Sequence, residues 1–263
     1  MIYQGVLKKM ITEFGNPIQY YLLLESDFIN VNQILNKNIR ITFIKNQCLH
    51  CGADKPIYRQ GYDKQCFFKL PQTAEWLIRP ELSTAHLGKA YRDLEYEKEV
   101  QLQPHVVYLA NSGHVKVGVT RKSQIPTRWI DQGAHKALEI VEVPNRYLAG
   151  ITEVALKPYV VDKTNWRKML KNDFEDVDLL EKKSTLIPYL PENVRAYVSK
   201  NTTEIELNFP VYKFPKKPKS LNLLKTVTFS QKLIGIKGQY LIFDDDTVFN
   251  IRNNEGLVIE LEV

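Results

Sequence analysis

Apolar and polar positions change their period several times along the chain. In IRITFI (39–44) they alternate, the pattern of a strand with one buried face. Upstream, Gly15-Asn16-Pro17 predicts a turn between strand-like VLKKMITEF and IQYYLLLE, and Asn36-Lys37-Asn38 precedes IRITFI. Near the other end NTTEIELNFPVYKF and LIGIKGQYLIF read as strands. Asp244-Asp245-Asp246 then makes a turn before TVFNIR and GLVIELEV. Each β-rich end, 1–47 and 205–263, is short for a barrel, and together they are expected to complete one small β-barrel with the middle inserted. RDLEYEKEV predicts a short exposed helix with Glu95 and Lys98 three apart, inside a polar connector over 71–103. Residues 173–204 read as a linker, helical from Asp173 to Leu190.

Between connector and linker the pattern over 104–172 is denser. HVVYLA is a run of β-formers, Asn111-Ser112-Gly113 a hairpin turn, and VKVGVT the returning strand. Pro126 suits the first turn of a helix through TRWIDQ, which Gly133 stops. ALEIVEV is a third strand. A helix follows from Asn145 to about Lys157, with Leu148, Ile151, Ala155 and Leu156 on one side and Pro158 at its end. Asp162 is placed to cap a last helix through NWRKML. The predicted order is β-β-α-β-α-α, and the class is α+β.

Composition narrows the setting. Hydrophobic residues make up 44% and charged residues 25%, ordinary for a folded chain with a real core. A net charge of +6 leans towards polyanionic partners, weakly, because 30 acidic residues remain. No stretch is long and apolar enough for a membrane span, and the first residues lack a signal-peptide core. The expectation is a soluble cytoplasmic protein with no membrane partner. Three cysteines, two of them as C-x-x-C, favour metal over disulfide.

Cys48-Leu49-His50-Cys51-Gly52 has the form of a zinc knuckle, in which the glycine lets the backbone turn under the metal. Cys66 follows after fourteen intervening residues, with Asp63 where a second C-x-x-C would begin. Cys48, Cys51, Asp63 and Cys66 are therefore the expected ligands of a structural zinc within 48–70, with His50 or His86 as alternative fourth ligands. A decayed ribbon that folds without metal is the competing expectation.

Four residues in the central stretch supply a phenol, a backbone requirement, a guanidinium and a carboxylate: Tyr108, Gly118, Arg128 and Glu153. In their order and spacing they resemble the GIY-YIG nuclease superfamily over about 70 residues. Val106-Val107-Tyr108 stands for Gly-Ile-Tyr, and Lys116-Val117-Gly118 for Tyr-Ile-Gly. Arg128 lies ten residues after the glycine, and Glu153 is on the next helix. Asn165 is a looser match to the family's terminal asparagine. The resemblance implies a GIY-YIG-like ββαβαα domain that cleaves DNA or RNA. Glu153 would hold one Mg²⁺ or Mn²⁺, Arg128 would offset charge in the transition state, and Tyr108 would orient or deprotonate water. Lys116, Arg121 and His114 are the nearest candidates for gripping phosphates. RPELSTAHLGKAYRD, QPHVVYLA, KVGVTR, RWIDQGAHKA, PNRYLAGITEVALK, DKTNWRKML and LIGIKGQYLIF are similar, over nearly the whole chain, to a bacterial family catalogued as domain of unknown function 2797. That family tends to carry a fuller second knuckle than Asp63 to Cys66.

Each of these residues also has a plainer role open to it. Tyr108 is of a type that fills cores, Arg128 is placed to pair with Asp131, and Trp129 and Trp166 suit the interior better than base stacking. Lys213, Lys216, Lys217 and Lys219, broken by Pro215 and Pro218, make either a solvated linker or a phosphate contact. Three functions stay open: a divalent-metal-dependent endonuclease, a non-catalytic nucleic-acid-binding zinc-ribbon protein, and a protein-interaction scaffold.

Overall fold

The computed structural model describes residues 1–160 and 165–263. Strands β1 (Ile2–Val6), β2 (Ile11–Glu13), β3 (Gln19–Leu24), β4 (Asp27–Asn30) and β5 (Asn38–Asn46) come first. β6 (Ile57–Arg59), β7 (Tyr62–Asp63) and α1 (Lys64–Lys69) form the knuckle, and α2 (Leu94–Gln101) ends the connector. The central stretch folds as β8 (His105–Asn111), β9 (Val115–Arg121), α3 (Thr127–Asp131), β10 (Lys136–Val143), α4 (Arg146–Leu156) and α5 (Trp166–Leu170). After α6 (Leu179–Leu186) come β11 (Ile205–Glu206), β12 (Lys219–Ser220), β13 (Thr228–Lys237), β14 (Tyr240–Phe243), β15 (Thr247–Asn250) and β16 (Leu257–Glu262).

The chain is a mixed α+β protein with several sheets. A seven-stranded sheet in the order β1-β16-β5-β13-β14-β15-β12 takes strands from both ends of the chain. β16 lies antiparallel between β1 and β5, so the middle of the chain is inserted between strands that pair with one another. A four-stranded sheet, β11-β10-β8-β9, carries the central stretch, with β9 at its edge.

One strand explains how the sheets come together. β8 is buried along its whole length, so both of its faces must be covered. Val106, Tyr108 and Ala110 turn one way, into a core shared with Leu7, Tyr20 and Leu233 of the terminal strands. Val107 and Leu109 turn the other way, against Ala149 and Leu156 of α4 and Leu179 and Leu186 of α6. Two hydrophobic cores therefore sandwich the strand that holds Tyr108.

Several elements differ from the sequence pattern. VLKKMITEF does not form one strand: Leu7 and Met10 are fully buried in an irregular stretch between β1 and β2. The segment Asp173–Leu190 becomes α-helical only at Leu179, where Asp178 caps the first turn by accepting from the Glu181 N–H. Asn165 caps α5 by accepting from the Arg167 and Lys168 N–H groups, and Asp162, expected to do so, lies outside the described residues. Ile205–Glu206 pairs with β10 of the central sheet, not with the terminal strands. No helix among the described residues is long and apolar enough to cross a membrane.

Candidate functional site

The site begins with a cross-strand pair. The β8–β9 register sets Tyr108 opposite Gly118. A Cβ at Gly118 would lie 2.6 Å from the Tyr108 hydroxyl oxygen, so the glycine is the gap through which the phenol passes. Beyond it the hydroxyl donates to Gln132 Oε1 at 3.1 Å, and the ring packs edge-on to Trp129. Burial raises the Tyr108 pKa above the ordinary phenol value, although the adjacent Arg128 guanidinium and Gln132 oppose it. At neutral pH Tyr108 is therefore a protonated donor.

Arg128 is half-buried on α3. The pairing with Asp131 open to it in sequence does not form. That carboxylate is held by Lys9, by Gln239 Nε2 at 2.8 Å and by Arg252 at 3.8 Å. Glu153 is half-buried on α4, which packs on the face of the central sheet that carries Val117 and Val119. Tyr108 and Arg128 belong to the opposite face. The two halves meet around the edge strand β9, in a cleft of about 520 Å³ lined by Tyr108, Gly118, Arg128 and Glu153. Lys116 and Arg121 line it too. Burial, followed by Arg128, lowers the Lys116 pKa to about 8.

Three contributors were not singled out by the sequence pattern. Arg146 opens α4, two turns before Glu153 and on the same side, a spacing from which it could have been found. It is buried and donates to the carbonyls of Trp76 at 3.2 Å and Leu77 at 2.7 Å, with its guanidinium over the Trp76 ring. Desolvation lowers its pKa to about 10, while Glu153 opposes the shift. Arg252 comes from the C-terminal region and Gln60 from the knuckle, so distant segments build one wall each. Among the described residues the lining then holds five cations, Lys116, Arg121, Arg128, Arg146 and Arg252, against the single carboxylate of Glu153. Such a surface attracts polyanions.

Other sequence candidates lie elsewhere. His114 sits at the β8–β9 turn, where its Nδ1 meets Glu175 Oε1 at 2.7 Å, outside the cleft. Two further histidines make ordinary local contacts, His105 with the Gln103 carbonyl and His135 stacked on Phe174. The lysine run is fastened by the Lys216 and Lys217 N–H groups, which donate to Asp246 at 3.0 and 2.9 Å, next to β12.

The cysteine cluster closes as a second site. One ligand atom from each of Cys48, Cys51, Asp63 and Cys66 lies within 4.8 Å of the others, so the cluster could hold a metal ion such as zinc. A zinc tetrahedron with Zn–S of about 2.3 Å has sulfur–sulfur edges of about 3.8 Å, which suits this spacing. Asp63 does two jobs. Its Oδ1 caps α1 by accepting from Gln65 and Cys66 N–H, and its Oδ2 accepts from the Cys51 thiol at 3.3 Å. Hydrogen bonds from Cys48 and Cys66 hold its carboxyl well below the usual range. The same carboxylate, with burial, pushes the Cys66 thiol up to about 12. Burial resists ionisation of Cys48, but N–H groups of Cys51, Asp63 and His50 prevail and lower its pKa. A bound cation would stabilise all three thiolates. His50 is exposed and His86 stacks on Tyr147, so neither histidine joins the cluster. Purified protein is expected to carry stoichiometric zinc, and Asp63→Ala to lose it together with about 1 kcal/mol of helix capping. Elemental analysis checks this, and wild-type protein free of zinc would show the knuckle to be a metal-free remnant.

A family model described as protein of unknown function (DUF2797) matches residues 36–259. The chain belongs to the DUF2797 family. No curated protein and no solved structure matches it. The matched span includes the cysteine cluster and every described residue that lines the cleft, and the DUF2797 description names no activity.

Proposed function

We propose that the cleft binds the phosphodiester backbone of a nucleic acid and cleaves it with the help of one divalent cation, in a GIY-YIG-like domain. One observation carries this: Tyr108, Gly118, Arg128 and Glu153, chosen from a sequence pattern, line the same solvent-open cleft. The element order from β8 to α5 supports it.

The chemistry follows from what each group can do there. Arg128 is placed to hold a non-bridging phosphate oxygen and to offset charge as the bond to the leaving oxygen lengthens. Lys116, Arg121 and Arg146 neutralise flanking phosphates. Tyr108, protonated and held by Gln132, orients the attacking water and does not abstract its proton, which passes to solvent in the open cleft as the P–O bond to the leaving oxygen breaks. Glu153 offers the hard oxygen donor for Mg²⁺ or Mn²⁺, which when bound polarises the phosphoryl group and stabilises the leaving oxygen. A single carboxylate suits such an ion, because Mg²⁺ keeps most of its waters and takes further ligands from substrate phosphates. The surrounding cations would disfavour a bare metal ion here, so Glu153 would hold one best alongside a bound phosphate. The knuckle, with four protein ligands and no open position, serves structure.

The test is incubation of purified protein with end-labelled single- and double-stranded DNA and RNA plus Mn²⁺. Cleavage is expected to stop with EDTA and to fall about 10²- to 10³-fold in Arg128→Ala. Cleavage unchanged by that substitution would overturn the assignment. Binding without cleavage would favour the second reading, a nucleic-acid binder that has lost catalysis, which the complete burial of Tyr108 supports.

Lys116 adds a pH dependence. Its charge is present below about 8 and is lost as pH rises through that value, so oligonucleotide affinity should fall several-fold between neutral and mildly alkaline pH. Lys116→Arg stays charged throughout. Its binding should be flat over the same window, as measured by fluorescence anisotropy.

A further inference from the structure

The cleft does not end at Lys116. A second pocket of about 280 Å³ shares Lys116, Gln132 and Arg252 with it and continues towards α5 and β14. Its lining changes character. The indole of Trp166 and the phenol ring of Tyr240 form one wall, parallel to within 10° at a centroid distance of 6.0 Å. The Arg167 guanidinium lies over the same indole at 4.3 Å. Opposite chemistry comes from Asn250 and Asn253, which offer amide edges, while the Asp131 carboxylate beside them is already held by Lys9, Gln239 and Arg252. Asn253 is exposed at the mouth.

We infer that this pocket receives the base of the nucleotide next to the phosphate in the cleft, so that the ligand is a single-stranded or locally unpaired nucleic acid. The inference rests on the phosphate-binding assignment of the cleft and adds the form of the ligand. A polyanion alone needs only the cations. A repeating unit of phosphate and planar heterocycle needs what lies here: cations, then within one step an aromatic and guanidinium stack with hydrogen-bonding edges beside it. Bases stack on aromatic rings and on guanidinium planes alike, so the Arg167–Trp166–Tyr240 group is already assembled for another layer. A paired base keeps its hydrogen-bonding edge turned into the duplex and cannot present it to Asn250 and Asn253.

Tryptophan emission reads the pocket directly. Trp76 and Trp129 are buried, so Trp166 is the half-exposed indole of the three. In EDTA, an oligothymidylate is expected to quench the emission, and a blunt duplex of the same length to bind without quenching. Trp166→Phe should remove the quenching and keep salt-dependent binding. Trp166→Ala should weaken the single strand about 5- to 150-fold and leave the duplex unchanged. Asn253→Ala, at an exposed loop position, should weaken the single strand several-fold whatever the fate of the tryptophan variant. Quenching that persists in Trp166→Phe, or single-strand affinity that is unchanged in both Trp166→Ala and Asn253→Ala, would overturn the pocket and leave the cleft standing. Absence of salt-dependent binding to either form would overturn both.

Discussion

Glu153→Gln is expected to abolish cleavage while tightening nucleic-acid binding in the absence of divalent ions. The two effects have opposite sign because the carboxylate has opposite roles with and without the cation. Among the described residues it is the one negative group lining a cleft with five positive ones, so without metal it repels the phosphates that the others attract. Its neutral isostere removes that repulsion, worth roughly 1 kcal/mol, or about five-fold in affinity at low salt. With Mn²⁺ present the same change removes the oxygen donor, and the rate should drop about 10³-fold. Anisotropy in EDTA and a cleavage assay in Mn²⁺ measure the two halves separately. If Glu153→Gln instead weakens binding as Arg128→Ala does, the carboxylate is a structural partner of the cations. Arg146, whose pKa already registers it, would be the first suspect.

Gly150→Ala is expected to destabilise the protein by about 3 kcal/mol, lowering Tm by roughly 6–12 °C. Gly150 lies on α4 one turn before Glu153, where the helix meets the turn at Pro80–Leu82. An added Cβ would stand 2.2 Å from the Glu81 nitrogen and 2.3 Å from the Pro80 carbonyl carbon. Both are backbone atoms, so no rotamer change relieves the clash. The strap itself must lift. Leu77, Ile78 and Pro80 of that strap line the cleft, and Arg146 ties it down through the Trp76 and Leu77 carbonyls. The variant should therefore lose oligonucleotide affinity as well as stability. Thermal unfolding followed by circular dichroism tests the first effect, and an unchanged Tm would mean that the strap does not rest on α4.

What was legible in the sequence was local. The β8–β9 hairpin followed from β-formers around Asn111-Ser112-Gly113, and α4 from its apolar period after Asn145 and its stop near Pro158. The salt bridge between Glu95 and Lys98 formed at 2.9 Å as its spacing required. The cysteine spacing, with Asp63 as substitute, identified the residues that cluster. What was not legible depends on pairing across the chain. β5 lies between β13 and β16, which sit some 190 to 220 residues further on, and no local period encodes that choice. The breaking of VLKKMITEF has the same origin, because Leu7 and Met10 turn into a core whose other half comes from the C-terminal strands. Arg252 and Gln60 reached the cleft only through this topology. His114 failed for the reverse reason: near Lys116 in sequence, it belongs to the turn, where Glu175 takes it.

The most direct measurement is anomalous diffraction from crystals soaked in Mn²⁺ with a thymidine dinucleotide. The account predicts a manganese peak on the Glu153 carboxylate, with the phosphate beside it contacting Arg128. A phosphate bound elsewhere, or a cleft that holds the dinucleotide while Glu153 takes no metal, would contradict it.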